Sequence, residues 1–144
     1  METGQITRDT DTAKRWHHDV YLGGRYEAAE AICAPGLVAH GTGVAPDAPT
    51  GPQFLREDAT AFRTAFRVDA LTDDDVIAVG DRVVIRWTFR GTHVGDLGDL
   101  GPTGRTVTVE GVDIFRLEAG RIAEFWGYYD AGALLDQLRD GVPA

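Results

Sequence analysis

One change of rhythm constrains this chain more than any other feature. Apolar residues recur every three or four positions up to about residue 66, and every second position after it. Upstream, Leu55, Ala59, Phe62 and Phe66, widened by Phe54, form the stripe of an amphipathic helix over about residues 51–66. From Val68 on, the stretches VDALTDDDVIAVG, DRVVIRWTFRGTH, RTVTVEGVDIFRLEAG and RIAEFWGYYD alternate instead. They are rich in Val, Ile, Thr and aromatic residues, with turn signals at Gly80-Asp81 and Ala119-Gly120. Successive side chains of a strand point to opposite faces, so each stretch has one face to give to a core. Helices first and strands afterwards predict an α+β domain, with helices covering one face of a curved antiparallel sheet.

The remaining segments fit around that frame. Residues 1–10 are polar and are expected to form a flexible tail, followed by a helix over about 11–22 that Asp11 or Thr12 caps and Gly23-Gly24 ends. A short helix from Tyr26 to Cys33 stops near Pro35, and the Gly- and Pro-rich HGTGVAPDAPTG is a loop. GTHVGDLGDLGPTG reads as a long hairpin loop near a cavity mouth; it lacks the GK[ST] ending of a phosphate loop. AGALLDQLRD closes the chain as a short helix. At 144 residues, one domain over 11–144 is expected.

Within VTVEGVDIFRL, counting in twos from Val107 places Asp113 on the same face as Val109, Phe115 and Leu117. Burying an unpaired carboxylate costs several kcal/mol, and the usual response is a raised pKa and a neutral acid able to donate a hydrogen bond. A structural pairing with Arg86 or Arg116 is the alternative. Arg86 and Trp87 alternate, so only one faces inward; Arg86 is expected there, as a partner for Asp113 or an anchor for a substrate carboxylate or enolate. His40 ends the short strand LVAH beside a loop and has the intrinsic pKa of a general base. His17 and Tyr21, four apart on one helix, point the same way, a role in substrate binding or orientation. In FWGYY, Phe125 and Tyr129 share the side of Gly127, whereas Trp126 and Tyr128 share the other, which is free to meet a second subunit. His93 with Asp96 and Asp99 matches no usual metal-ligand spacing, so no metal is expected. Cys33 is expected as packing, without a nucleophilic role.

Charge narrows the partners. With 14 Lys and Arg against 23 Asp and Glu the net charge is −9, which disfavours nucleic acid and anionic membranes and suits a small apolar ligand. A single cysteine, no signal-peptide pattern and no run of about 20 apolar residues fit a cytoplasmic protein.

WTFRGTH, PTGRTVTVEGVDIFRLEAGRIAEFW and the trailing D…LLDQL resemble the SnoaL-like polyketide cyclases, within the nuclear transport factor 2-like superfamily that also holds ketosteroid isomerase and limonene epoxide hydrolase. The resemblance runs over residues 11–139. It implies a cone-shaped sheet (an α+β barrel) whose concave face, roofed by the N-terminal helices, encloses one apolar pocket. It also implies chemistry without a cofactor, and a homodimer or higher homo-oligomer. By position, Asp113 falls where ketosteroid isomerase keeps its protonated Asp, His40 at that enzyme's general base, and His17 near its oxyanion-binding Tyr. Tyr21 matches a pocket aromatic of the cyclases. The resemblance therefore implies Asp113 and His40 as the acid and base, with His17, Tyr21, Phe54, Phe62, Arg86, Phe115, Phe125 and Tyr129 around the substrate. Two departures stand out. The cyclases' acid/base Asp, like a corresponding Asp of the epoxide hydrolase, would sit at Gly127, and that hydrolase's Arg-x-Asp is here Arg82 followed by Val84; Asp130 could compensate only if the strand bulges. The expected activity is a cyclase-type proton transfer on a hydrophobic, polyketide-like substrate. The alternatives are another tailoring step, such as isomerisation, dehydration, epoxide opening or hydroxylation with a partner reductase, and a non-catalytic module that binds a small molecule.

Overall fold

The computed structural model describes residues 2–139. Helix α1 (Glu2–Arg15) runs on into a π-helical stretch, Trp16–Leu22. The expected tail over residues 1–10 and the helix start at Asp11 or Thr12 are corrected by this, since the helix begins at Glu2 and Asp9 is already buried. Local pairing explains why so polar a segment is helical. Gln5 Nε2 donates to Asp9 Oδ1 at 2.7 Å, and the hydroxyls of Thr7, Thr10 and Thr12 donate to carbonyls four residues back.

A 3₁₀ turn (Tyr26–Ala28) and α2 (Ala29–Ile32) lead into β1 (Cys33–Gly41), and α3 (Pro52–Ala65) precedes the meander β2 (Phe66–Val79), β3 (Arg82–His93), β4 (Thr106–Glu118) and β5 (Arg121–Tyr129). Helix α4 (Ala131–Arg139) follows, opened by Asp130 Oδ1, which accepts the Ala133 N–H at 2.9 Å. The five strands form one curved sheet in the order β1-β5-β4-β3-β2. The meander is antiparallel, as expected, but β1 joins β5 in parallel. That pairing needs a long crossover, which α3 and the meander together supply.

Along β3 and β4 the odd-numbered residues face the helices: Val83, Ile85, Phe89 and His93 on one, Val107, Val109, Asp113, Phe115 and Leu117 on the other, all buried. Trp16 sits at the centre of that core. Its ring stacks on Phe125 at 4.4 Å and meets Phe115 edge-on at 5.5 Å. Phe115, expected against substrate, is instead fully buried beneath Trp16 and belongs to the core.

Strand β2 keeps its face only by slipping twice. Register shifts fall between Val68 and Ala70 and between Asp73 and Asp75. The second pairs Asp73 with inward-facing Trp87, and Asp75 with outward-facing Arg86. Two residues that simple alternation would put on one face are thereby sent to opposite faces. Arg86 is consequently outside: its Nε donates to Asp75 Oδ2 at 2.7 Å, and Trp87 holds the inward position.

Candidate functional site

Between the sheet and its helical roof lies a cavity of about 250 Å³. Its walls are mostly aromatic: Trp16 and Tyr21 from the π-helical stretch, Phe54 and Phe62 from α3, Trp87 and Phe89 from β3, Phe125 and Tyr129 from β5. Four polar side chains interrupt them, namely His17, Thr42, Asp58 and Asp113.

His17 is the hub. The Gly23 N–H donates to the His18 carbonyl, a π-type i→i−5 bond, and the wider turn carries Trp16, His17 and Val20 together toward the sheet. Arg63 ties the end of that stretch down, donating to the carbonyls of Tyr21 and Leu22 at 2.8 and 3.0 Å. The His17 ring is 3% exposed, with Nδ1 2.7 Å from Asp73 Oδ1 and Nε2 2.6 Å from Asp113 Oδ2. Burial by itself lowers the pKa of an imidazole, but the hydrogen bonds and charges of Asp113 and Asp73 outweigh it and push His17 up to about 9. At neutral pH the ring is therefore an imidazolium that donates to both carboxylates. Burial works against the Asp73 carboxylate, yet its bond to His17 and the nearby positive charges hold it below its ordinary range. His18 Nε2 lies 3.1 Å from the other Asp73 oxygen, at ion-pair distance.

Asp113 thus has its partner, though not an arginine. Arg116 pairs with Glu124 on the outer face, and the carboxylate inside meets an imidazolium. Only Oδ2 is used in that bond. Oδ1 points toward Gly127, where an added Cβ would lie 3.0 Å from it and 2.6 Å from the Phe125 ring. Gly127 is small because protein atoms already fill the space its side chain would need, and an aspartate there would clash.

A second polar centre faces the same cavity. Tyr21 donates its hydroxyl proton to Asp58 Oδ2 at 2.5 Å. Burial, then the charge and hydrogen bond of Asp58, drive the Tyr21 phenol well above its usual range. Asp58 is exposed to solvent at the cavity edge, yet desolvation by the surrounding atoms raises its carboxyl; the bond from Tyr21 opposes this and the charge of Asp113 adds to it. Asp58 was readable in the sequence, because Phe54, Asp58 and Phe62 fall four apart along an apolar stripe. Asp73 was not, because β2 changes register beside it.

Of the residues expected in the site, the fold gathers Asp113, His17, Tyr21, Phe54, Phe62, Phe125 and Tyr129 around the cavity. It leaves out Phe115, Arg86 and His40. His40 lies beside Trp126 in the β1–β5 register, its ring stacked on that indole at 5.3 Å and its Nε2 2.7 Å from Glu124 Oε2. That is the outer face, since Phe125 and Gly127 take the inner one, so His40 is not placed to act as a base on anything in the cavity. Asp130 spends an oxygen on the start of α4 and lines no part of the cavity. His93 is buried with Nδ1 3.1 Å from the Thr103 N–H, and no cluster of three metal-ligating side chains occurs among the described residues. Nor is any helix among them long and apolar enough to cross a membrane. Burial pushes the Cys33 thiol up to about 12, which leaves it inert.

A family model described as SnoaL-like polyketide cyclase matches residues 11–138. Solved structures share the fold over nearly the whole chain. A provisional SnoaL-like polyketide cyclase from Jannaschia sp. CCS1 superposes with a TM-score of 0.82 at 20% identity, covering 96% of this chain and 95% of that one. TsrD from Streptomyces laurentii gives 0.78 at 24%, covering 92% and 97%. AclR, a provisional hydroxylase from Streptomyces galilaeus, gives 0.77 at 20%, covering 96% and 99%. At these identities the likeness speaks for the fold alone. No curated protein matches in sequence.

Proposed function

We propose a proton-transfer reaction for this cavity, from the premise that the chain belongs to the SnoaL-like polyketide cyclase family. The observation that carries the reading is the division of labour within one carboxylate: Asp113 Oδ2 is held by the His17 imidazolium at 2.6 Å while Oδ1 is left toward the cavity. A base fixed in this way can take a proton from a carbon beside a carbonyl, and its orientation is set before substrate arrives. The Tyr21 hydroxyl faces the same space; by turning its one proton from Asp58 to the substrate it becomes the donor for the oxygen that becomes negative. The resulting enolate then attacks a second carbonyl of the same hydrophobic molecule in a ring closure, and the alkoxide this leaves takes the proton back from Asp113, which restores the base. Aromatic walls bind the carbon skeleton.

The test uses 2-tetralone, an enolisable ketone of two fused rings, in deuterated buffer. Exchange of its α-protons, followed by NMR, is expected to be faster with the protein than in buffer alone, and about 10²-fold or more slower with Asp113→Asn. An Asp113→Asn variant that folds and exchanges at the wild-type rate overturns the reading. Gly127 favours a second reading within the same site, in which the enolate is reprotonated elsewhere and the product is an isomer of the substrate. Product analysis with a linear diketone separates ring closure from isomerisation.

A further inference from the structure

The cavity carries an unbalanced charge. Among the described residues no lysine or arginine lines it, and its one cation, His17, has each ring nitrogen on a carboxylate. Asp113 is 5% exposed, with Oδ1 accepting no hydrogen bond from the described residues and directed into the cavity beside Gly127. Asp58 stands across from it on the helical roof, exposed to solvent at the cavity edge, and accepts a single hydrogen bond, from Tyr21. Two carboxylates and one imidazolium make the triad of Asp73, His17 and Asp113 net negative, and Asp58 adds to it.

The arginine that would have anchored a substrate carboxylate, Arg86, is on the outer face with Asp75. A carboxylate or phosphate entering the cavity would meet Asp58 at its edge and Asp113 within, with no described lysine or arginine lining it as counter-ion, and around buried Asp113 charges are poorly screened. A cation finds the reverse: two carboxylates, and a lining that includes the aromatic rings of Tyr21, Phe62 and Trp87, a class of side chain whose quadrupole attracts positive charge. The net charge of −9 acts in the same direction on approach.

We propose that the cavity selects its ligand by charge, holding a hydrophobic molecule with a protonated amine that meets Asp58, and turning free carboxylates away. This rests on the cavity being the substrate site and adds a substrate class to that reading, an amino-substituted carbonyl compound. An ammonium beside Asp58 favours its carboxylate form and offsets the desolvation that raises it. Size sets the body of the ligand. A cavity of about 150 Å³ holds benzene, so 250 Å³ suits two fused rings with one substituent.

The test compares three probes with one bicyclic body at pH 7: 2-aminotetralin, 2-tetralol and tetralin-2-carboxylate. Binding is read by calorimetry, and by fluorescence of Trp16 and Trp87 in a Trp126→Phe variant that removes the outer indole. The amine is expected to bind at least tenfold more tightly than the alcohol, and the carboxylate at least tenfold more weakly; each tenfold step is about 1.4 kcal/mol. Asp58→Asn is expected to cut the amine-to-alcohol ratio at least threefold. A carboxylate that binds as well as the amine, or an unchanged ratio in Asp58→Asn, overturns the charge selection and leaves the proton-transfer reading standing. Failure of all three probes to bind overturns the cavity as a ligand site, and both proposals with it.

Discussion

Raising the pH should weaken this protein through one ring. His17 titrates at about 9 in the folded chain, against an ordinary value of 6.5. A group whose pKa is raised on folding contributes stability that is full below the unfolded value and is lost as pH climbs through the folded one. A gap of about 2.5 units, at 1.36 kcal/mol each, makes the contribution about 3 kcal/mol at low pH. Roughly 2 kcal/mol of it disappears between pH 7 and pH 9. For a domain whose whole stability is of the order of 5–15 kcal/mol that is a large change. Urea unfolding followed by circular dichroism at half-unit steps from pH 6 to pH 9 would measure it, with midpoints and slopes fitted separately. Cys33, pushed up to about 12 by burial, adds a second alkaline loss that sets in near its ordinary value of 9.0, so the scan stops there. His17→Gln supplies the reference. It is expected to be less stable at pH 7 by about 3–5 kcal/mol, because it leaves two carboxylates buried without a cation. Its stability should also be flat across the range in which the wild type declines. A wild-type curve parallel to that of His17→Gln from pH 6.5 to pH 9 would show that the ring is not held as an imidazolium, and the reasoning about Asp113 would go with it.

Two further outcomes follow from the geometry. Gly127→Ala drives a methyl against the Phe125 ring and Asp113 Oδ1, so it should destabilise by about 1–3 kcal/mol in thermal melts and slow 2-tetralone exchange as well. His40→Gln should leave that exchange within twofold of wild type, as the ring pairs with Glu124 on the far side of the sheet; a tenfold loss would mean that the outer face takes part.

The layout of the fold was written in the spacing of apolar residues, and the alternation that exposed it also contained answers that went unread. In DRVVIRWTFRGTH, Arg82, Arg86 and Arg90 share one parity while Val83, Ile85, Trp87 and Phe89 share the other. That parity alone places Arg86 outside. Asp113 does have a cation beside it, but not the arginine of the neighbouring strand. The cation came from a helix rather than from the neighbouring strand. His40 failed for a related reason. Its face is decided by the parallel pairing of β1 with β5, a contact between residues more than eighty apart that no local pattern reports.

Asp73 marks the limit of the alternation rule more sharply than either. In LTDDDV, three consecutive aspartates offer no hydrophobic contrast from which to read a face, and the strand changes register within them. The slip does two things at once. It leaves Asp73 facing inward against His17, in step with Leu71, and it turns Asp75 outward so that Val76 and Ala78 return to the inner face opposite Ile85 and Val83. A strand without that bulge could satisfy the core beyond Asp75 or the imidazolium before it, but not both. The triad is therefore bound to the packing of β2: the extra residue lets the hydrophobic face resume at Val76 while Asp73 stays inward, where it keeps His17 charged and Asp113 aimed.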